Sequence, residues 1–139
     1  MQSITLPTAS LVEKSDRLLI TGAAGFIGSR VLNCLLELGF TNIGCFVRSA
    51  SKLSVIETIV RSHSSDARVD VITGNLLSAS DCEAACRGAK VIFHLAAGTG
   101  GKSYPDAFLN SVVTTRNLLE AAIQNVSFQR IVLVSSFCV

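Results

Sequence analysis

The chain has 139 residues, of which 49% are hydrophobic and 16% are charged, and its formal net charge is +2. This length fits one domain, and the apolar composition suits a sheet that helices cover on both faces. There is no basic cluster, no apolar run of membrane-spanning length and no signal-peptide pattern. We therefore expect no nucleic-acid partner, no membrane partner and no secretion.

The cysteines are odd in number and are scattered through the predicted elements. Cys82 and Cys86 are spaced for one helix face and lack the paired spacing of a zinc site, so we expect no bound metal. Buried, reduced thiols are the expectation, and they favour a cytoplasmic location. The five residues are Cys34, Cys45, Cys82, Cys86 and Cys138.

Residues 1–16 are a lead-in, and the apolar runs after them alternate with amphipathic segments. The pattern predicts strands at 17–21, 42–47, 68–73, 90–96 and 130–135, and helices at 26–38, 52–61, 80–86 and 106–124. Gly39 and Gly88 are predicted to end the first and third helices, and Ser80 with Glu83 to form a capping box on the third. This alternation predicts an α/β fold, a doubly wound parallel sheet of about five strands.

A glycine-rich segment at residues 21–28, TGAAGFIG, follows the first strand and leads directly into the first helix. In this context Gly22 allows a tight turn, Gly25 lets a pyrophosphate approach the backbone, and Gly28 lets the helix lie near the sheet. The helix N-terminus adds free N–H groups and partial positive charge. The alternative is a glycine-rich turn without a ligand. The candidate cofactor-binding residues here are Gly22, Gly25, Phe26, Ile27 and Gly28.

A basic residue, Arg48, ends the second strand, where a dinucleotide-binding fold normally carries an acidic residue for the ribose 2′-hydroxyl. Lys52 follows four positions later. A carboxylate repels a 2′-phosphate, whereas a guanidinium pairs with it through two parallel hydrogen bonds. These residues predict NADP(H) as the cofactor in preference to NAD(H). The alternative is that Arg48 is a solvated surface arginine.

Four stretches together resemble the extended short-chain dehydrogenase/reductases, the NAD-dependent epimerase/dehydratase family. Residues 21–28 match the family's TGxxGxIG loop, and residues 94–97 match its HLAA segment. Gly74-Asn75-Leu76 stands where the family has Gly-Asp-Leu, and Val134-Ser135-Ser136 resembles the end of its fifth strand. The resemblance implies an incomplete, Rossmann-like NAD(P)-binding domain at residues 17–139. It ends before the family's last strands and substrate lobe.

The same resemblance implies further cofactor contacts. Asn75 takes the place of the family's adenine-binding Asp and offers only its amide oxygen, with Leu76 beside it. The nicotinamide ribose would lie against a set of small residues at the end of the fourth strand, Leu95, Ala96 and Ala97. His94 is expected to be a packing histidine and not a catalytic one.

The family's catalytic serine is best matched by Ser136, with Ser135 as a cofactor contact. Which of the two hydroxyls faces the site stays open, and the alternative is that both serines merely end a strand. In the helix at 106–124, Ser111 and Thr114 stand where the family has Asn and Gly. Asn110 lies next to Ser111, but about 100° around the helix, so the bracing role of that Asn is not assigned to it.

The family's catalytic Tyr-x-x-x-Lys pair would fall beyond Val139, and the one tyrosine, Tyr104, has Phe108 four residues on. We therefore expect the NADP(H)-binding portion of an oxidoreductase for a carbonyl or alcohol, as a fragment or a truncated gene product without turnover of its own. The alternative is a non-catalytic NADP-sensing or interaction domain. The strand at 131–134 would be an exposed apolar edge, which favours self-association.

Overall fold

The computed structural model describes residues 11–63, 66–98 and 103–134. Five strands in these ranges form one parallel sheet in the order β3-β2-β1-β4-β5, which confirms the predicted doubly wound α/β fold. The strands are β1 (Leu18–Thr21), β2 (Asn42–Val47), β3 (Arg68–Thr73), β4 (Val91–His94) and β5 (Arg130–Leu133). The helices are α1 (Phe26–Glu37), α2 (Leu53–Ser62), α3 (Ala79–Cys86), α4 (Tyr104–Phe108) and α5 (Thr114–Ile123).

Two hydrophobic clusters cover the two faces of the sheet. All four residues of the central strand β1 are buried. Because successive side chains of a strand point to opposite faces, Leu18 and Ile20 pack with α1 and α2, whereas Leu19 packs with α3 and α5. This arrangement explains why the strands read as continuous apolar runs.

Strand β4 ends at His94, two residues earlier than predicted. The N–H of Leu95 still reaches the carbonyl of Thr21, at 3.2 Å, but the N–H of Ala96 turns to the hydroxyl of Thr21, at 3.3 Å. A side chain therefore replaces the next bond of the strand ladder, and the backbone leaves the sheet.

The predicted capping box of α3, Ser80 with Glu83, is wrong. The N-cap is Ser78, whose Oγ accepts from the N–H of Asp81 at 3.3 Å, so Ser80 and Glu83 lie inside the helix. The predicted ends of α1 and α3 are confirmed, since Gly39 and Gly88 follow these helices with φ values of +80° and +71°.

The helix predicted at 106–124 is longer at its start and is interrupted. Ser103 caps α4 by accepting from the N–H of Asp106 at 3.4 Å, so the helix begins within the predicted loop. A π turn, Leu109–Val113, then joins α4 to α5. In it the N–H of Thr114 donates to the carbonyl of Leu109, five residues back. Hydrophobic periodicity does not reveal such an inserted residue.

The cysteines are buried only in part, contrary to the expectation. Cys34 is exposed, whereas Cys45, Cys82 and Cys86 are buried, and all four are free thiols. Burial raises the pKa of these thiols to about 12, 11 and 12 respectively. Cys138 lies outside the described residues.

Two glycines shape the turn between β1 and α1. Gly22 has a φ of +70°, and a Cβ there would lie 2.9 Å from the backbone nitrogen of Ala96. A Cβ on Gly28 would overlap the carbonyl oxygen of Gly22 and lie 2.8 Å from the Cα of Ala23. The missing side chain of Gly22 therefore lets the turn lie against the backbone after β4, and that of Gly28 lets helix α1 lie against the turn.

Strand β5 lies at one edge of the sheet, and its side chains are poorly covered. Val132 is 37% and Leu133 is 50% exposed. The predicted exposed apolar edge is thus present in the described residues. Among the helices that the structure describes, none is long and apolar enough to cross a membrane.

Candidate functional site

A cleft of about 380 Å³ opens at the edge of the sheet where the strands have their carboxyl ends. Because all the strands are parallel, the loops that follow β1, β2, β3 and β4 meet at this edge. Each loop contributes to the lining, together with residues of the π turn and α5. The lining residues are Gly22, Ala24, Gly25, Phe46, Val47, Arg48, Ser49, Ser51, Lys52, Gly74, Asn75, Leu76, Leu95, Ala96, Ala97, Gly98, Asn110 and Thr114.

Most of the cofactor-binding residues predicted from the sequence lie together in this lining. The exceptions within the described ranges are Phe26, Ile27 and Gly28, which belong to the first turn of α1. Phe26 and Ile27 are 82% and 47% exposed beside the cleft, and Gly28 is buried beneath the turn. Ser135 and the candidate catalytic Ser136 lie outside the described residues.

Helix α1 points its N-terminus at the cleft. Gly25 is its N-cap, no side chain caps the helix, and the first turn carries no acidic residue. The N–H groups of this turn are therefore available to an anionic ligand, and the partial charge of the helix favours one.

The hydroxyl of Thr21 organises the floor of the cleft. It accepts from the N–H groups of Leu95 and Ala96, at 3.2 and 3.3 Å, and lies 2.7 Å from Nδ1 of His94. The other ring nitrogen of His94, Nε2, lies 2.9 Å from Oγ1 of Thr115. His94 is buried with both ring nitrogens bonded, as expected of a packing histidine.

The hydrogen bonds also assign the protonation of His94. Oγ1 of Thr115 donates its proton to the carbonyl of Ser111, so it accepts from Nε2–H of His94. The hydroxyl oxygen of Thr21 already accepts from the N–H groups of Leu95 and Ala96, so its proton is donated to Nδ1 of His94. Burial lowers the pKa of His94, which agrees with a neutral ring.

Two cations stand at the end of β2 without a carboxylate partner. Within the described ranges, neither Arg48 nor Lys52 makes an ion pair. Arg48 donates one long hydrogen bond, 3.4 Å, to Oδ1 of Asn110. Lys52 lies in the 3₁₀ turn Ala50–Lys52, which Ser49 caps by accepting from the N–H of Ser51. This corner of the cleft therefore carries uncompensated positive charge.

Asn75 lies in a loop that hydrogen bonds from several side chains stabilise. Its N–H donates to the carboxylate of Asp81 at 2.7 Å, and its Oδ1 accepts from the N–H of Leu77 at 3.0 Å. Asn117 donates to the carbonyls of Leu76 and Leu77 at 3.1 and 3.2 Å. The amide oxygen of Asn75, which was expected to face a ligand, is therefore already engaged and keeps one lone pair.

The helical wall of the cleft was not assigned to the site from the sequence. Ser111 accepts from the N–H of Gly98 at 3.0 Å, and Asn110 bonds to Arg48. Thr114 lies in the wall with its hydroxyl buried, and among the described side chains its Oγ1 alone is buried without a partner. The sequence did show that Ser111 and Thr114 depart from the family pattern, but it did not show that their side chains lie at the cleft.

No group of three or more metal-ligating side chains occurs in the part of the chain that the structure describes. The cleft thus offers a cationic corner, a helix N-terminus and a wall with an unpaired hydroxyl. This combination suits an organic anion that extends along the strand ends.

Comparison with protein families gives a match over most of the chain. A family model described as NAD(P)H-binding matches residues 22–139. A 3 beta-hydroxysteroid dehydrogenase/Delta 5→4-isomerase of Mycobacterium tuberculosis is 35% identical over 136 residues, which cover 92% of this chain and 34% of that protein. An NAD-dependent epimerase/dehydratase, terH, of Aspergillus terreus is 33% identical over 93% of this chain and 38% of its own length.

Solved structures agree with these sequence matches. UDP-glucuronic acid 4-epimerase from Bacillus cereus, in complex with NAD, superposes with a TM-score of 0.70 at 26% identity, over 87% of this chain and 40% of that one. Uronate dehydrogenase from Agrobacterium tumefaciens gives 0.69 at 25%, over 89% and 42%. The chain spans about a third of the length of the curated relatives it matches.

The neutral state of His94 predicts a pH-dependent stability. Since the pKa of this ring is lowered from 6.5 in the folded protein, the unfolded chain takes up the proton first as the pH falls. The contribution of His94 to the free energy of unfolding should therefore be complete above pH 6.5. Below pH 6.5 the free energy of unfolding should decline, by at most about 1.4 kcal/mol per pH unit. Urea unfolding between pH 5 and 8 measures this (roughly the range in which histidines titrate).

The variant His94→Gln should be less stable at neutral pH and should lose most of this slope. His63→Gln, which removes the only other histidine, should keep it. A wild-type stability that does not change across this range would contradict the assigned protonation.

Proposed function

This chain belongs to the extended short-chain dehydrogenase/reductase family and covers its NAD(P)H-binding part, and on that basis we propose that it is the NADP(H)-binding portion of an oxidoreductase. The substrate class is a carbonyl compound or the corresponding alcohol. The names of the relatives, a dehydrogenase/isomerase and an epimerase/dehydratase, support hydride chemistry of this kind.

The observation that carries the choice of NADP(H) is that two cations, Arg48 and Lys52, line the cleft and have no carboxylate partner among the described residues. An adenosine 2′-phosphate carries more than one negative charge near pH 7, and a guanidinium binds phosphate oxygens through parallel hydrogen bonds. A carboxylate at the same position would serve the 2′-hydroxyl of NAD(H) and repel the phosphate.

The other parts of the cleft are proposed to bind the remaining groups of the cofactor. The diphosphate would lie at Gly25 and the open first turn of α1, with Phe26 and Ile27 contributing backbone N–H groups. Asn75 and Leu76 would contact the adenine. The nicotinamide ribose would lie on the residues whose backbone Thr21 holds in place, which are Leu95, Ala96 and Ala97.

Removal of the guanidinium tests the cofactor assignment. Arg48→Ala should weaken NADPH binding roughly 10- to 100-fold, because hydrogen bonds to charged groups contribute about 1.5–3 kcal/mol. NADH binding should stay nearly unchanged. Isothermal titration calorimetry of both cofactors gives the two constants.

Arg61→Ala serves as the matched control, since Arg61 lies on α2, is 81% exposed and pairs with Glu57 away from the cleft. Tighter binding of NADH than of NADPH by the wild-type chain would refute the proposed NADP(H) preference.

The chemical step needs groups that these 139 residues do not supply. The family resemblance implies a tyrosine as general acid/base, a lysine that lowers its pKa, and a serine, here Ser136, that holds the substrate oxygen. NADP(H) supplies or accepts the hydride. Tyr104 lacks a lysine four residues on, because Phe108 stands there.

We therefore predict binding without turnover for the 139-residue chain. NADPH should bind saturably, and the absorbance of the reduced nicotinamide should stay constant in the presence of a panel of aldehydes and ketones. Consumption of NADPH that depends on the substrate would contradict this expectation.

The second candidate is a non-catalytic NADP-sensing or interaction domain that binds the cofactor in the same cleft. Sequencing of the transcript beyond codon 139 separates the two candidates. An in-frame Tyr-x-x-x-Lys motif would support the oxidoreductase, and its absence would support the sensor.

We also propose that the chain by itself associates through β5. An edge strand presents unpaired N–H and C=O groups, and Val132 and Leu133 add exposed apolar surface. Val132→Lys should shift the chain towards monomer in sedimentation equilibrium, because a charged edge strand resists pairing. Val126→Lys, at a fully exposed loop position, should not. A wild-type chain that is a monomer at micromolar concentration would contradict the proposal.

A further inference from the structure

Asn110 lies in the π turn Leu109–Val113 and forms part of the cleft wall that follows β4. Arg48 lies in the same cleft at the end of β2. The two residues are 62 positions apart in the sequence, and the packing of the helix against the strand ends brings them together. The hydrogen bond between their side chains therefore ties the helical wall to the cationic corner.

The amide of Asn110 has one favourable orientation. Its Nδ2 donates to the carbonyl oxygen of Asp106 at 2.7 Å, which turns Oδ1 towards Nη1 of Arg48 at 3.4 Å. The flipped amide would place an oxygen against the Asp106 carbonyl and an NH₂ group against the guanidinium. Both contacts would be repulsive, so the backbone of α4 fixes Asn110 as a hydrogen-bond acceptor for Arg48.

Arg48 has little else to hold it. Its side chain is exposed, and in the described ranges the guanidinium makes no other hydrogen bond and no ion pair. A free arginine side chain loses rotamer entropy when a ligand immobilises it. A guanidinium has five N–H donors, so the bond to Asn110 leaves the others for a ligand.

From these contacts we infer that Asn110 is a specificity-determining positioning residue for NADP(H). It holds the guanidinium of Arg48 over the cleft before the cofactor arrives, so that less entropy is lost when the 2′-phosphate binds. The inference rests on the proposed NADP(H) preference and adds to it the residue through which that preference is enforced.

The test is a double-mutant cycle with both cofactors. Asn110→Ala should weaken NADPH binding about 3- to 10-fold, because a free guanidinium loses more rotamer entropy when the phosphate binds, and should leave NADH binding nearly unchanged. In the Arg48→Ala background the same substitution should have no further effect on NADPH, since Asn110 acts through Arg48. Calorimetric titration gives all the constants.

Two further variants complete the test. Asn110→Asp should weaken NADPH binding more than Asn110→Ala, because a carboxylate neutralises Arg48 and repels the phosphate. Asn33→Ala removes a comparable helix contact, to Glu37 on α1, and should change neither cofactor's affinity. Circular dichroism at the binding temperature shows whether each variant is folded.

The outcomes separate this inference from the proposed function. A wild-type preference for NADH defeats both. A preference for NADPH that depends on Arg48 but not on Asn110 defeats the inference alone. Equal loss of both cofactors in Asn110→Ala defeats it too, since the residue would then serve the general shape of the cleft. Tighter NADPH binding in that variant would show that Asn110 competes with the phosphate.

Discussion

The hydroxyl of Thr21 fixes the end of the central strand to the backbone that leaves β4, and the cleft is built on that junction. It accepts two N–H groups, from Leu95 and Ala96, and donates to His94. Thr21 and His94 are buried, and a buried polar group without a partner costs about 1–3 kcal/mol. The backbone after β4 therefore has one well-determined path, and that path forms the floor on which a flat ligand would rest.

The helix after β4 extends this hydrogen-bond network to the other side of the cleft. Thr115 bonds to His94, Ser111 holds the N–H of Gly98, and Asn110 bonds to Arg48. The π turn lies where these side chains leave the helix. An inserted residue of this kind changes the direction of the side chains that follow it, and such turns are frequent at functional sites. The floor, the wall and the cationic corner are thus linked through one helical segment.

Some of the described cations have a carboxylate partner and others have none. Arg17, Arg61 and Arg116 each have a carboxylate within ion-pair distance, at 2.9, 3.6 and 3.7 Å. Arg48 and Lys52 have none in the described ranges; four other described cations share this property, but they do not line the cleft at the strand ends. Positive charge without a partner in a cleft attracts an anion, and its place at the end of β2 is the basis of the proposed contact with the adenosine 2′-phosphate.

Much of this molecule could be inferred from local patterns. Apolar runs and helical periodicity are properties of consecutive residues, so the order of elements, the parallel sheet, the glycine turn and the position of Arg48 were all accessible. One error arose because a residue far away in sequence intervenes: β4 stops at His94 because Thr21, 73 residues earlier, supplies its hydroxyl. The N-cap of α3 was misplaced for a local reason, since Ser78, and not Ser80, accepts from the N–H of Asp81. Asn110 meets Arg48 only once the helix packs over the strand ends, because contacts across a sheet depend on how the segments pack together and not on the composition of either segment.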